Sequence, residues 1–354
     1  MASFSCRFDC ERPTSPNMEQ GNPPHLRDCT VTYRAVNYRK LGRFGLKVSE
    51  VALGGWLTHG RTLDDSSTAS VVHRAYDLGI NFFDTADVYH KGAAELALGA
   101  AIKGYRRADL VLATKCFFPF SDGPNDRGLS RKHITESVND SLVRLQTDYI
   151  DLMQFHRYDD STPIDETVRA IDDLIRAGKV LYWGVSEWSA AQIQNLADTA
   201  KLLNANPPAS NQPSYSMLNP YIEKAVLPVS VANGIGQVVF SPLAQGILTG
   251  KYKPGAPLPE GSRASDDSSN QFMKGQLNDE TLTRVQKLAA LAAEHDLSVA
   301  QFSLAWCLRH PGISSVIIGA SRPDQVDENV KASGVTLDAA VWSRAEAILA
   351  GTAE

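Results

Sequence analysis

Short apolar runs alternate along this chain with longer segments whose apolar residues return every three or four positions. The first pattern marks buried strands and the second marks helices that pack by one face. Strand-like residues at 38–41 and 46–53 flank Gly42-Arg43-Phe44-Gly45, a connection short enough for a tight hairpin. From 48–53 onward each run leads to a helical segment: 48–53 to 66–78, and 81–84 to a helix opening near 92–95. Then come 110–114 to 130–145, with Ser130 as a good N-cap, 149–153 to 163–176, 180–185 to 190–203, and 209–212 to 219–231. The run 237–241 enters a Gly/Pro/Ser/Asp-rich excursion over 244–278, and 314–318 leads to 323–330. Helical spacing also runs through 279–310 and 338–349. Eight strand–helix units, most about 30 residues apart, predict a parallel sheet closed into a (β/α)8 barrel. A long loop after the seventh strand and extra C-terminal helices complete the expected architecture.

Residues 1–36 show no period and are rich in Pro, Asn, Arg and Cys, which predicts a disordered or draped tail before a single barrel domain over 37–354. At 354 residues and 43% apolar composition, one large core is within reach. The net charge is −5 and the basic residues are scattered, so nucleic acid and anionic membrane are not expected partners. No apolar run reaches the ~18 residues of a membrane span, and no apolar segment of a secretory signal is seen. Cys6, Cys10 and Cys29 lie in the tail and Cys116 and Cys307 in apolar surroundings, which is no disulfide framework. The expected location is cytoplasmic. Cys6 and Cys10 have no His or further Cys near enough for a good metal site, no H-x-H occurs, and no metal is expected.

In a (β/α)8 barrel the reactive groups lie at the C-terminal ends of the strands. The residues there are Gly54, Gly55 and Trp56; Asp84, with Tyr89 in its loop; Lys115; His156; Ser186 and Glu187; Asn211 and Gln212; Phe240 and Ser241; Gly319, Ala320 and Ser321. Each has an ordinary alternative taken singly: Asp84 as a turn residue, Tyr89 as packing, His156 as a satisfied core histidine. Lys115 is the sharpest signal, because a lysine at the end of a buried run needs a partner. Asp84 on the neighbouring strand is the candidate.

Asp84-Thr85-Ala86 with Tyr89, then Thr114-Lys115, then His156, resembles the catalytic tetrad of the aldo-keto reductases. The resemblance runs from about Tyr38 to the last helix. It is strongest to the branch of voltage-gated potassium-channel β-subunits and their bacterial relatives. Its carriers are Arg127-Gly128-Leu129-Ser130-Arg131-Lys132-His133-Ile134, Tyr182-Trp183-Gly184-Val185-Ser186, Ser241-Pro242-Leu243 with Gly246 and Gly250-Lys251-Tyr252, and Gly319-Ala320-Ser321 with Gln325 and Glu328-Asn329.

The resemblance implies NADPH-dependent reduction of aldehydes and perhaps ketones, with Tyr89 as proton donor, Lys115 and Asp84 tuning it, and His156 polarising the carbonyl. A free tyrosine titrates near ~10, and bringing it to ~7–8 takes roughly 3–4 kcal/mol, about what a cation ~4 Å away supplies at an effective dielectric of ~20. No flavin or metal signature and no G-x-G-x-x-G occurs, so a nicotinamide held outside the Rossmann manner is expected. By resemblance, Ser186 and Gln212 bind its carboxamide and Phe240 stacks on its ring, with Trp56 also on the cofactor. Ser241, Pro242, Leu243 and Gly246 meet the pyrophosphate. Lys251 lies toward the 2′-phosphate, Arg263 in the covering loop, and Gly319, Ser321, Gln325, Glu328 and Asn329 on the adenosine half. NADPH is expected over NADH.

Two departures from the channel subunits are informative: they carry Asn where His156 stands, and Arg where Glu187 stands. The expected substrate wall is Trp56, Leu57, Phe117, Phe118, Trp188 and Phe240, beside Tyr89 and His156. The substrate expected is a small carbonyl compound, and relatives of this branch suggest tetramers or octamers. The rival reading is a regulatory subunit that senses nicotinamide redox state with little turnover.

Overall fold

The computed structural model describes residues 36–352 apart from 57, 61, 267–269, 271, 272 and 274. The expected tail, save Val36, and Cys6, Cys10, Cys29 and Leu57 lie outside the described residues.

The chain opens with an antiparallel hairpin, β1 (Tyr38–Lys40) and β2 (Lys47–Ser49), in the register Tyr38↔Ser49 and Lys40↔Lys47. The single run expected over 46–53 is in fact two strands. Glu50 separates β2 from β3 (Val51–Gly54): its N–H donates to the Asn37 carbonyl at 2.9 Å and its carboxylate pairs with Arg39 at 2.6 Å. A charged residue that must reach partners outside the sheet turns the chain there, so β2 closes the hairpin and β3 enters the barrel.

The barrel is closed and parallel, formed by β3, β4 (Phe82–Asp84), β5 (Val111–Cys116), β6 (Ile150–Phe155), β7 (Val180–Ser186), β8 (Ser210–Gln212), β9 (Gly236–Phe240) and β10 (Ile313–Ile318) in chain order, with β10 returning to pair β3. Its interior is filled by Ala52, Phe82, Val111, Ala113, Leu152, Ala209, Val238 and Ile317. Leu41 and Val48 of the hairpin join that cluster, with Phe44 and Leu46 packed against it. The hairpin therefore stoppers the N-terminal end of the barrel and leaves the other end for a site. Gly42 makes the close approach possible. Its φ is +55°, and a Cβ there would lie 2.2 Å from the Gly234 carbonyl oxygen.

The larger core lies between the strands and the surrounding helices. These are α1 (Asp65–Asp77), α2 (Ala93–Ala101), α3 (Arg131–Leu145), α4 (Ile164–Arg176), α5 (Ala190–Leu202), α6 (Val226–Ala232), α7 (Asp279–Ala293), α8 (Val299–Leu308), α9 (Pro323–Val330) and α10 (Ala339–Ala350). Ser130 caps α3 by accepting from the His133 N–H, and Ser298 with Gln301 forms a reciprocal capping box on α8. The helix expected over 219–231 is broken into a 3-10 turn (Tyr221–Lys224) and α6. Pro228 explains the break, since its ring would meet the carbonyl of Lys224 in a continuous helix. None of the described helices is long and apolar enough to cross a membrane.

Candidate active site

The C-terminal end of the barrel carries the chemistry because strand register brings it there. Asp84 ends β4 and pairs across to Ala113 of β5, so Lys115, two residues on, projects from the same face into the barrel mouth. Lys115 thus lies inside the strand, not after it as its sequence context suggests. The loop after β4 continues along β5: Thr85 N–H donates to the Ala113 carbonyl at 2.9 Å and Asp87 N–H to the Lys115 carbonyl at 3.1 Å. Those two bonds aim Tyr89 back over the lysine.

Lys115 is fully buried, and its Nζ donates to Asp84 Oδ2 at 2.7 Å, to the Thr85 carbonyl at 2.7 Å and to the Tyr89 hydroxyl at 3.4 Å. An ammonium has three N–H groups, and all three are used. Asp84 Oδ1 accepts from Gln212 Nε2 at 2.8 Å and from Gln154 Nε2 at 3.3 Å. His156, the first residue after β6, packs edge-on to Tyr89 with ring centroids 5.8 Å apart and to Phe118 at 5.0 Å.

Electrostatics follow from burial. Desolvation alone would lower Lys115, but Asp84 and Tyr89 outweigh it and hold the ammonium above its ordinary value. Burial pushes the Tyr89 phenol up; Lys115 pulls against it, and the net direction is upward. This corrects the expectation of a phenol tuned down to near neutrality. His156 is held well below its usual value, first by burial and then by Lys115 and Arg157, so its imidazole is neutral at pH 7. Its Nδ1 is buried with no hydrogen-bond partner among the described residues, which leaves Nε2 to meet a ligand.

These groups open on one cavity of about 1670 Å³ that runs from Tyr89 and His156 across the barrel mouth to α9. All the expected cofactor residues line it: Trp56, Ser186, Gln212, Phe240, Ser241, Pro242, Leu243, Gly246, Lys251, Arg263, Gly319, Ser321, Gln325, Glu328 and Asn329. The backbone after β9 bends sharply along the cavity wall: Ser241, Ala244, Gln245 and Gly246 all have positive φ, from 46° to 96°. The run makes a tight turn in which the Ala244 and Gly246 N–H groups donate to the Ser241 and Leu243 carbonyls, each at 2.9 Å. At the far end Gly319 has open space where a Cβ would stand. A dinucleotide fits these residues.

Three expectations need revision. Phe117 and Trp188 do not line the cavity. Phe117 turns into the helix-side core, while its neighbour Phe118 faces the cavity. Trp188 is buried against Tyr158, with centroids 4.7 Å apart. The cause is Glu187, whose φ of +59° turns the chain so that Glu187 faces the mouth and Trp188 the core. Gln212 spends its amide on Asp84 in this structure, an arrangement in addition to the expected carboxamide contact. Gln154 was missed, although a glutamine just after an apolar strand run is itself a signal of an inward polar partner. Among the described residues no group of three or more His, Cys, Asp or Glu could hold a metal ion.

The structure is thus an eight-stranded parallel barrel, stoppered by a hairpin, that gathers carboxylate, lysine, phenol and imidazole at the ends of successive strands. The chain matches the family model described as Aldo/keto reductase family over residues 50–350 and belongs to that family. Within it, the chain stands with the potassium-channel β-subunit branch. It is 45% identical over 303 residues to an Arabidopsis thaliana protein named "Probable voltage-gated potassium channel subunit beta", covering 85% of this chain and 92% of the relative. A rice (Oryza sativa subsp. japonica) protein of the same name is 43% identical over 303 residues, with the same coverage. A Schizosaccharomyces pombe protein named "Putative voltage-gated potassium channel subunit beta" is 45% identical over 306 residues, 84% of this chain and 88% of the relative.

Proposed function

We propose that this protein reduces aldehydes, and ketones more slowly, with NADPH as the reductant. The observation that carries the reading is the fully buried Lys115 ammonium, shared between Asp84 at 2.7 Å and the Tyr89 hydroxyl at 3.4 Å. A phenol beside a fixed cation, next to a neutral imidazole and at the mouth of a dinucleotide-sized cavity, is arranged to give a proton to a carbonyl oxygen. When bound, the nicotinamide supplies the hydride. Tyr89 donates its proton to the oxygen, and Lys115 stabilises the phenolate left behind. Asp84, held by Gln212 and Gln154, keeps Lys115 charged and aimed. His156 donates from its neutral ring to the same oxygen and sets its angle. Phe240 supports the ring of the cofactor, Lys251 its 2′-phosphate, and the turn after β9 its pyrophosphate.

The test is a panel of aldehydes run with NADPH and with NADH, on wild type and Tyr89→Phe. The variant should lose reduction by at least ~100-fold while binding NADPH within about threefold of wild type. Substantial turnover by Tyr89→Phe would refute Tyr89 as the acid.

The relatives' names favour a second reading, a subunit that binds NADPH and reports its redox state to a channel. Tight NADPH binding with no oxidation by any aldehyde of a broad panel would select it. Gel filtration would at the same time test the tetramer or octamer inferred from that branch.

A further inference from the structure

Arg157 follows His156 at the end of β6 and lines the same cavity. It is half-buried. One Nη donates to the His156 carbonyl oxygen, and the guanidinium lies over the Phe118 ring, 5.5 Å from its centroid. Among the described residues no carboxylate comes within ion-pair distance of it. Elsewhere in this fold the half-buried guanidinium groups of Arg39, Arg107, Arg144 and Arg309 each hold a carboxylate. Arg157 departs from these four guanidinium groups in having part of its hydration removed with no counter-charge held in return.

A carboxylate on the same cavity wall is directed elsewhere. Glu187 also lines the cavity, but its Oε1 is engaged by the Ser214 N–H at 2.5 Å and the Tyr221 hydroxyl at 3.4 Å. Lys91, on the rim after β4, adds a second positive group to the cavity lining. Arg157 and His156 both pack on the Phe118 ring, at 5.5 Å and 5.0 Å from its centroid, and both line the cavity, so the guanidinium lies close to where a carbonyl oxygen would rest. A planar fork beside an aromatic face suits a carboxylate, which it can take through two hydrogen bonds.

We propose that Arg157 is a specificity-determining residue: it takes the carboxylate of a substrate whose aldehyde or ketone lies between Tyr89 and His156. This rests on the reductase reading and names its substrate class as carboxylate-bearing carbonyl compounds. The redox step is unaltered: the carbonyl becomes an alcohol, one NADPH is oxidised, one proton comes from Tyr89, and the carboxylate is a spectator.

The test compares 3- and 4-formylbenzoate with the matching formylbenzamides, which have nearly the same shape and no charge. For the better isomer, wild type should favour the carboxylate at least tenfold in kcat/KM, the scale of a charge-assisted pair discounted for partial exposure. The ratio should fall to about one in Arg157→Gln and keep an intermediate value in Arg157→Lys, a point charge without the fork. A wild-type ratio of one or below, or a ratio unchanged in Arg157→Gln, overturns the proposal. A second readout needs no turnover: calorimetric binding of the hydroxymethylbenzoate and hydroxymethylbenzamide products to the NADP+-loaded protein. The carboxylate should bind at least tenfold tighter in wild type and lose that margin in Arg157→Gln. Equal affinities overturn the proposal even where turnover is seen. Carboxylate-selective binding with no reduction of any aldehyde would sustain the Arg157 subsite and sink the reductase reading instead. Should Arg157→Gln fail to fold, Arg157→Lys and the wild-type ratios decide.

Discussion

Replacing Lys115 by Met separates the role of the ammonium in chemistry from its role in the fold. At 3.4 Å from the phenol oxygen, an ammonium stabilises a phenolate by about 5 kcal/mol at an effective dielectric of ~20. Asp84, 2.7 Å from the same nitrogen, opposes the phenolate in wild type and variant alike and cancels from the comparison, so the loss is about 5 kcal/mol. That corresponds to a roughly 10³- to 10⁴-fold fall in the rate of the reductive step. The substitution also strands Asp84, a buried carboxylate left with two amide donors, Gln212 and Gln154. Breaking a buried pair in this way costs about 3–5 kcal/mol of stability. The paired variant Asp84→Asn/Lys115→Met removes both charges, so it should recover most of the stability and none of the rate. Single-turnover oxidation of NADPH with a saturating aldehyde at pH 7 reads the first effect, and denaturant unfolding the second. Reduction within threefold of wild type in Lys115→Met, or recovery of rate in the paired variant, would refute the phenolate role.

Other outcomes follow from neighbouring groups. His156→Asn keeps a donor but shortens it, and reduction should slow about 10- to 100-fold with NADPH affinity unchanged; a rate equal to wild type under single turnover would remove His156 from the carbonyl. Burial pushes the Asp87 carboxyl up to about 7. A folded pKa above the unfolded one of 3.8 means that the native state holds a proton the unfolded chain has released. Stability from this group is therefore present at low pH and falls as pH rises between about 4 and 7, by at most about 4 kcal/mol. Asp87→Asn should flatten that fall, measured as unfolding free energy at pH 5 and pH 8; identical slopes in the two proteins would exclude it. Glu95 is fully buried and pairs with Arg144 at 2.6 Å, and it accepts from the Thr114 hydroxyl at 2.5 Å. Arg144→Met should cost roughly 3–5 kcal/mol in urea unfolding, and a loss below 1 kcal/mol would show the pair to be dispensable.

The strand ends were legible because alternation of runs and periodic segments dictates where each strand stops, to within a residue or two. That was enough to collect Asp84, Tyr89, Lys115 and His156. What was not legible turned on single backbone angles. Phe117 and Phe118 are equally apolar neighbours, and only the path after β5 sends one to the core and the other to the cavity. One left-handed residue, Glu187, decides the fate of Trp188, and no pattern of hydrophobicity reports a φ of +59° at a glutamate. The hairpin boundary was missed for a related reason. Glu50 looks like an isolated charge in an apolar run until its partners, Asn37, Arg39, Ser333 and Gly334, are brought from both ends of the chain.

Tyr89, the proposed acid, shows where spacing ceases to be informative. Spacing places a lysine beside a tyrosine, and Coulomb attraction alone then argues for a lowered phenol. Burial acts on the same atoms with the opposite sign and is the larger effect, so the phenol of the resting site stays protonated. A donor must hold its proton until the carbonyl oxygen gains charge, and desolvation secures that state. In the proposed reaction the cation contributes when the phenolate forms, because its three N–H groups are already fixed on Asp84, Thr85 and Tyr89 and need no reorganisation. Reduction should therefore stay nearly level as pH rises from 6 to 9. The phenol titrates above its ordinary value near 10, and His156 is already neutral across that range. A steep fall in the single-turnover rate centred near pH 7 would mean that Lys115, not burial, sets the acid.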